Sequence, residues 1–311
     1  MPDSVSLAGS PPPYSNRGVY PPIPHTHAPT FDCYNATVFA HYSEIMDHLE
    51  QALLDAGFDT QRSDGPPIKF YARNSLLTDR TGYRLLQVRS GGSNPHPFVE
   101  CKGPQSVPVA QALREQFRHR PARIDSAFDR AAPGLFGRMV DLSAAFERKY
   151  GLKRNFAGAS PEHPNRGTTV YLGSRKAMVF VRIYQKGLQI AEEQGLAPEA
   201  ISDELRNWVR IELEFKPQKR PAKEAAAQLD PVGCWGVSQW ICDFAMQALS
   251  VEAERVNVIQ RRVSDHDRAL RFMAQQYRSH LDQLLHDCKG DYAAAMAVLV
   301  DLADLRPSEA A

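Results

Sequence analysis

Apolar and polar residues alternate most strictly in three short stretches of this chain. Over residues 123–129, Ile124 and Phe128 fall on one side and Arg123, Asp125 and Asp129 on the other. Over 178–185, Val181 and Ile183 oppose Arg182 and Tyr184, and Lys186 continues the polar side. Over 208–216, Val209, Ile211, Leu213 and Phe215 oppose Arg210, Glu212 and Glu214. A period of two is the repeat of a β-strand. Apolar groups on one side and charged groups on the other predict a sheet with one packed face and one open face.

The rest of the pattern supplies the neighbours. Phe31–Val38 reads as a strand, and His41–Gly57 as an amphipathic helix with Ile45, Leu49, Leu53 and Leu54 on one face. Strands are expected at 67–73, 83–89 and 97–102, between Gly, Pro and Asn turns. Helices are expected at 106–118 and 134–150, then a loop at 157–167. Strands Thr168–Leu172 and Met178–Gln185 follow, joined by Gly173-Ser174-Arg175-Lys176, then a short helix at 187–195. Beyond residue 220 the chain reads as helices at 220–228, 233–260, 264–287 and 291–304. This order predicts an α+β fold: a mostly antiparallel sheet with helices on one face, plus a helical C-terminal region. Two smaller sheets side by side are the alternative, since the runs before and after residue 115 resemble a diverged duplication. The expected domains are a disordered tail at 1–30, an α+β domain at 31–218 with sub-sheets 31–115 and 116–218, and a helical region at 219–311. The tail holds 8 of the 23 prolines and no helix or strand period.

Composition narrows the class. The 311 residues are 43% hydrophobic and 23% charged, which is ordinary for a globular chain. No apolar run approaches the roughly 18 residues of a membrane helix, and no basic, then apolar, leader opens the chain. Five scattered cysteines without a CxxC pair form neither a disulfide framework nor a zinc site. A cytoplasmic protein with buried free thiols and no membrane partner is expected. A net charge of +1 argues against coating nucleic acid by bulk charge but leaves local basic clusters open. Arg255, Arg261, Arg262, Arg268 and Arg271 are expected to help bind duplex DNA. His25-Thr26-His27 lacks the apolar strand context of a metal-binding pair. Cys101, Trp235 and Trp240 read as packing residues, and His280 and His286 as surface residues.

Carboxylates, guanidiniums and one tyrosine on three strand faces form a set that phosphoryl chemistry can use. Carboxylates from adjacent strands can hold a divalent ion on a phosphate oxygen. Arg and Lys can clamp that phosphate, and a tyrosine can attack it as a covalent nucleophile. The same pattern also suits cross-strand salt bridges on a solvated face.

At these residues the chain resembles the replication initiation factor family, the initiators of rolling-circle replication in plasmids and filamentous phages, to which relaxases of conjugative elements are related. The resemblance lies in Arg123–Asp129, Thr169–Lys176, Val181–Gly187 and Trp208–Glu214, and runs from about residue 31 to 250. It implies a DNA nicking and closing enzyme in which Tyr184 attacks the nick-site phosphate. The products would be a 5′-phosphotyrosyl protein and a 3′-OH primer. Asp125 and Glu212 would hold Mg²⁺ or Mn²⁺, with Asp129 and Glu214 as further candidates. Arg182 and Lys186 would assist catalysis. Arg123, Arg175, Lys176 and Arg210 would bind DNA. Expected partners are origin DNA, single-stranded at the nick and duplex or hairpin nearby, a host helicase and a second copy of the chain. A conjugative relaxase and a catalytically silent sequence-specific DNA-binding protein are the alternatives. The family usually places an acidic residue after the tyrosine; here it is Gln185, which points away from Tyr184 on a strand. Tyr171 is the rival tyrosine, with stacking on a base or packing beside Gly173 as its other roles.

Overall fold

The computed structural model describes residues 26–68, 70–158, 167–256 and 265–303. The proline-rich segment to residue 25, most of the expected 157–167 loop, and Arg261 and Arg262 lie outside the described residues, as do the side chains of Arg268 and Arg271. The elements in chain order are β1 (Thr30–Val38), α1 (Tyr42–Asp55), β2 (Gln61–Gly65), β3 (Arg73–Thr78), β4 (Arg84–Ser90), β5 (Phe98–Lys102) and α2 (Ser106–Gln116). Then come β6 (His119–Ala131), α3 (Leu135–Tyr150), β7 (Arg154–Ala157), β8 (Thr169–Leu172), β9 (Val179–Gln185), α4 (Lys186–Glu193), α5 (Asp203–Arg206), β10 (Trp208–Phe215) and α6 (Arg220–Ala226). Four further helices are α7 (Gln239–Leu249), α8 (Asp265–Gln276), α9 (Arg278–Asp287) and α10 (Tyr292–Leu302).

The α+β class holds, and one sheet replaces the alternative of two. Its ten strands run in the order β2-β3-β4-β5-β1-β6-β10-β9-β8-β7, every pair antiparallel. The order repeats itself about the β1–β6 seam. On each side a central strand is followed by a helix, then three strands that step inward from the edge, then a fourth that pairs back onto the central one.

The packed face carries the apolar half of each alternation. Tyr34, Ile124, Ile183, Ile211 and Leu213 join Ile45 and Leu49 of α1, Leu113 of α2, Phe146 of α3 and Phe244 of α7 in one core. Each such side chain stabilises the fold by about 1.5–3 kcal/mol through burial. Trp235 is fully buried there and donates from Nε1 to Ser126 Oγ at 2.9 Å. Helix α3 ends at Gly151, whose φ of 63° is the left-handed value that a side chain resists. A smaller core of Ile190, Ala191, Ile201, Leu205 and Trp208 adds a cap of α4 and α5 on the opposite face. There Gly187 is obligatory, because a Cβ would lie 1.8 Å from the Leu205 carbonyl oxygen.

Several expected elements shift. The strand expected at 67–73 is a turn with an isolated bridge between Ile68 and Tyr71, and strands flank it at 61–65 and 73–78. Pro66 and Pro67 interrupt the ladder there. The helix expected at 233–260 shortens to α7, since Gly233–Gly236 forms a 3-10 turn and Ser250 takes a φ of 57°. The helix expected at 264–287 breaks at Tyr277. Leu54, expected on the buried face of α1, is 46% exposed. Cys33, Cys101 and Cys234 are buried free thiols; Cys242 and Cys288 are also free but only half-buried.

By its internal contacts the chain divides into two compact units, residues 1–259 and 260–311. The second unit contains α8, α9 and α10. Among the described residues, no helix is long and apolar enough to cross a membrane.

Candidate active site

The polar halves of the three alternations meet on the sheet face opposite the large core. Register dictates the meeting. Arg182 on β9 lies opposite Glu212 on β10, and Tyr184 opposite Arg210. Across the other edge of β10, Glu214 lies opposite Asp125 on β6, and Arg210 opposite Asp129. Antiparallel neighbours about 4.8 Å apart bring such side chains into contact. The face is not a solvated one: Asp125 is 0% exposed, Asp129 and Glu212 3%, and Glu214 7%. Charges buried this deeply need partners, and two clusters supply them.

The first cluster joins Asp125, Glu212 and Glu214 to Arg123 and Arg182. Arg123 grips Asp125 with two hydrogen bonds and reaches Glu214 at 2.9 Å. One nitrogen of Arg182, Nη2, contacts Glu212, Asp125 at 3.2 Å and Glu214 at 3.8 Å. Lys216 closes on the other oxygen of Glu214. Arg182 Nε is buried without a hydrogen-bond partner among the described residues. The Tyr184 hydroxyl donates to Glu212 Oε2 at 3.3 Å.

The second cluster is centred on Arg210. Its guanidinium holds Asp129 through both carboxylate oxygens, at 2.8–3.1 Å, and Asp32 at 2.8 Å. Trp208 Nε1 donates to Asp129 Oδ1 at 2.7 Å. Asp32 was not singled out by the alternation, because a bulge between Phe31 and Cys33 turns it onto the polar face. Trp208 precedes Arg210 by two residues and could have been found by extending the same period. Lys186 Nζ bonds Gln189 Oε1 at 3.3 Å and sits 6.0 Å from the Tyr184 ring centroid.

These surroundings move several pKa values. Burial, and then the negative charge of Glu212, pushes the Tyr184 hydroxyl up. Burial, and then Arg210, pushes Lys186 down. Burial, reinforced by Asp125 and Asp32 and opposed by Arg182, raises Glu212 from 4.5 to about 8. Glu214 goes the other way: against its burial, Lys216 and Arg123 hold its carboxyl low. A carboxylate whose pKa rises on folding takes up a proton, so its stabilisation is complete below 4.5 and is lost as pH rises through about 8. In chelator-containing buffer, the urea stability of wild type relative to Glu212→Gln should therefore fall across that window, by up to about 1.4 kcal/mol per pH unit. A difference that stays flat with pH would refute the raised pKa.

Among the described residues, no group of three His, Cys, Asp or Glu is gathered as a ready metal cage. Arg182 fills the space where Asp125, Glu212 and Glu214 converge. Asp129, the other acidic candidate, belongs to the Arg210 cluster. Arg175 and Lys176 stand apart, exposed on the turn between β8 and β9. Gln185 points away from Tyr184 and accepts a hydrogen bond from the Thr168 backbone N–H at 3.0 Å. Tyr171 lies opposite Arg182 on β8, while Thr169 lies opposite Tyr184. Arg255 donates to the Gly236 carbonyl at 2.9 Å.

Residues 140–229 match the sequence model of a family described as replication initiation factor. That span contains Tyr184, Arg182, Glu212 and Arg210, and begins after β6 with its Asp125 and Asp129. Among the solved structures that match is one described as a rolling circle replication initiator protein from Geobacillus stearothermophilus. It overlays with a TM-score of 0.47 at 13% identity, covering 74% of this chain and 98% of that one. No curated protein matches the chain significantly.

Proposed function

We propose, from the match of residues 140–229 to the replication initiation factor family, that this chain belongs to that family and initiates rolling-circle replication by nicking and rejoining origin DNA. The observation that carries this reading is the Tyr184 hydroxyl bonded to Glu212, with Arg182 tying Glu212 to Asp125. A nucleophile, a proton acceptor and a phosphate-binding cation thus adjoin on two neighbouring strands.

In the reaction the Tyr184 oxygen attacks the scissile phosphorus. The new Oη–P bond replaces the P–O3′ bond, leaving a 5′-phosphotyrosine and a 3′-OH. Glu212 in its ionised form takes the tyrosyl proton, and solvent water protonates the departing 3′-oxygen. Arg182 and Arg123 bind the phosphate oxygens and offset the charge that develops there. Phosphate entering this cluster competes with the three carboxylates for Arg182, so the guanidinium exchanges one set of anionic partners for another.

The donor set suits a hard divalent cation. Mg²⁺ and Mn²⁺ take oxygen ligands and are commonly held by one or two carboxylates plus substrate phosphate. Asp125 and Glu212 would hold the ion once Arg182 moves to the phosphate, and Glu214 would then remain with Arg123 and Lys216. When bound, the ion supplies Lewis-acid polarisation of a phosphate oxygen. Arg210 keeps Asp129 and Asp32 out of this exchange and fixes the strand that carries Glu212. Exposed Arg175 and Lys176 bind the DNA backbone beyond the nick.

The test is incubation of the protein with a labelled single-stranded oligonucleotide library and Mg²⁺ or Mn²⁺, read as a covalent adduct on a denaturing gel. An adduct that disappears with chelator is expected. Tight binding without any adduct would overturn the nicking function and leave a sequence-specific DNA-binding protein.

A further inference from the structure

The turn between β8 and β9 carries an aromatic surface that the nicking chemistry leaves unused. Tyr171 on β8 and Phe180 on β9 share the polar face of the sheet with Arg182 and Tyr184. Their rings are almost parallel, 12° apart, with centroids 5.7 Å from one another. Arg175 lies over both, its guanidinium carbon 4.8 Å from the Tyr171 centroid and 5.8 Å from that of Phe180. Phe180 is buried and Tyr171 half-buried, so the accessible part of the platform is Tyr171.

Two cavities meet at that ring. One, of about 350 Å³, is lined by Tyr171, Thr169, Tyr184 and Gln185. The other, of about 340 Å³, is lined by Tyr171, Phe180, Lys153, Asn155 and Arg175. Tyr171 is the residue common to both linings, and Tyr184 lines the first cavity with it. Thr169, opposite Tyr184, is two residues from Tyr171, about 7 Å along a strand. The second cavity has cationic surroundings, whereas the first is lined by Glu192 and, among the described residues, by no cation. Lys153, Arg175 and Lys176 are exposed, and none has an ion-pair partner among the described residues.

We propose that the Tyr171–Phe180 platform is the stacking site for an unpaired nucleobase adjacent to the phosphate presented to Tyr184. This rests on the reading of the chain as a nicking enzyme for single-stranded DNA, and it assigns Tyr171 a binding role beside the nucleophile. Every base has a π-face, so an aromatic platform beside a cationic groove holds a strand with little regard to sequence. Arg175 occupies the platform in the free protein. A guanidinium plane can stack on a ring or bind phosphate. On DNA binding, Arg175 moves with the turn, yields the ring face to the base and takes the neighbouring phosphate.

The test uses a Tyr184→Phe background, in which no covalent capture occurs. Binding is measured by fluorescence anisotropy for short oligo(dT) and for a base-free deoxyribose-phosphate oligomer with the same number of phosphates. Tyr171→Ala should weaken oligo(dT) binding by about 5- to 150-fold and leave base-free binding unchanged. Tyr171→Phe, which keeps the ring, should bind oligo(dT) as the parent does, and unchanged base-free binding by Tyr171→Ala excludes misfolding as the cause of its loss. Equal losses for both oligomers, or oligo(dT) binding unaffected by Tyr171→Ala, would overturn the stacking site while leaving the nicking function intact. Failure of the Tyr184→Phe parent to bind oligo(dT) at all would overturn both.

Discussion

Tyr184→Phe should abolish the covalent protein–DNA adduct, lowering its yield by at least about a thousandfold. Single-stranded DNA affinity should stay within about threefold of wild type, since the ring and the neighbouring cations remain. The variant loses one hydrogen bond, from the hydroxyl to Glu212 at 3.3 Å. Folding stability should therefore change by only about 1 kcal/mol. Tyr171→Phe should keep forming the adduct. The contrast between the two variants locates the nucleophile, because both tyrosines stand on the same sheet face and line the same cavity. An adduct that survives Tyr184→Phe but vanishes with Tyr171→Phe would transfer the role to Tyr171. The geometry favours Tyr184: its hydroxyl has a carboxylate acceptor, and the ring of Tyr171 is committed to Phe180 and Arg175.

The second large effect concerns stability. Arg210→Met should destabilise the protein by about 3–5 kcal/mol, the usual result of removing one partner from a buried ion pair. Asp129, 3% exposed, would lose its three hydrogen bonds from the guanidinium, and Asp32 its only ion pair among the described residues. For a unit of this size the loss corresponds to a fall of roughly 10 °C in Tm. Adding Asp129→Asn should recover part of it, because the remaining amide carries no charge to desolvate. Thermal unfolding of the single and double variants measures the coupling directly. A single-variant loss below about 1 kcal/mol would mean that water reaches Asp129 and that the cluster is not a structural anchor.

Alternation alone marks the polar residues of β6, β9 and β10 that meet in the candidate site, and these strands are neighbours in the sheet. The reason is physical: a strand at the middle of a sheet must bury one face in the core, and that requirement is written in every second residue. The depth of the opposite face was not legible. Burial of Asp125 and Glu212 depends on Arg182 of β9 reaching both carboxylates across β10, and on the α4–α5 cap at the Trp208 end of the face. Both are long-range facts. Asp32 escaped because a single inserted residue breaks the period that reveals its neighbours. The strands around residues 61–78 were displaced because β2 is polar and exposed at the sheet edge, with no apolar repeat to mark it. The over-long helix at 233–260 had an apolar pattern, but its glycines and the left-handed turn at Ser250 ended it early.

The repeat of strand order about the β1–β6 seam has a consequence for how this chain divides its labour. Placing Glu100 of β5 on Glu212 of β10 sets Gln87 at the place of Arg182 and Arg89 at the place of Tyr184. The same superposition puts Cys33 at the place of Asp125, and these two residues are themselves cross-strand partners at the seam. The first half thus preserves the frame and one acid but has no tyrosine or second carboxylate where the reaction would need them. The carboxylates, arginines and tyrosine of the candidate site thus come from the second half, while the first half lends that site the strand paired behind it, with Asp32 tied to Arg210.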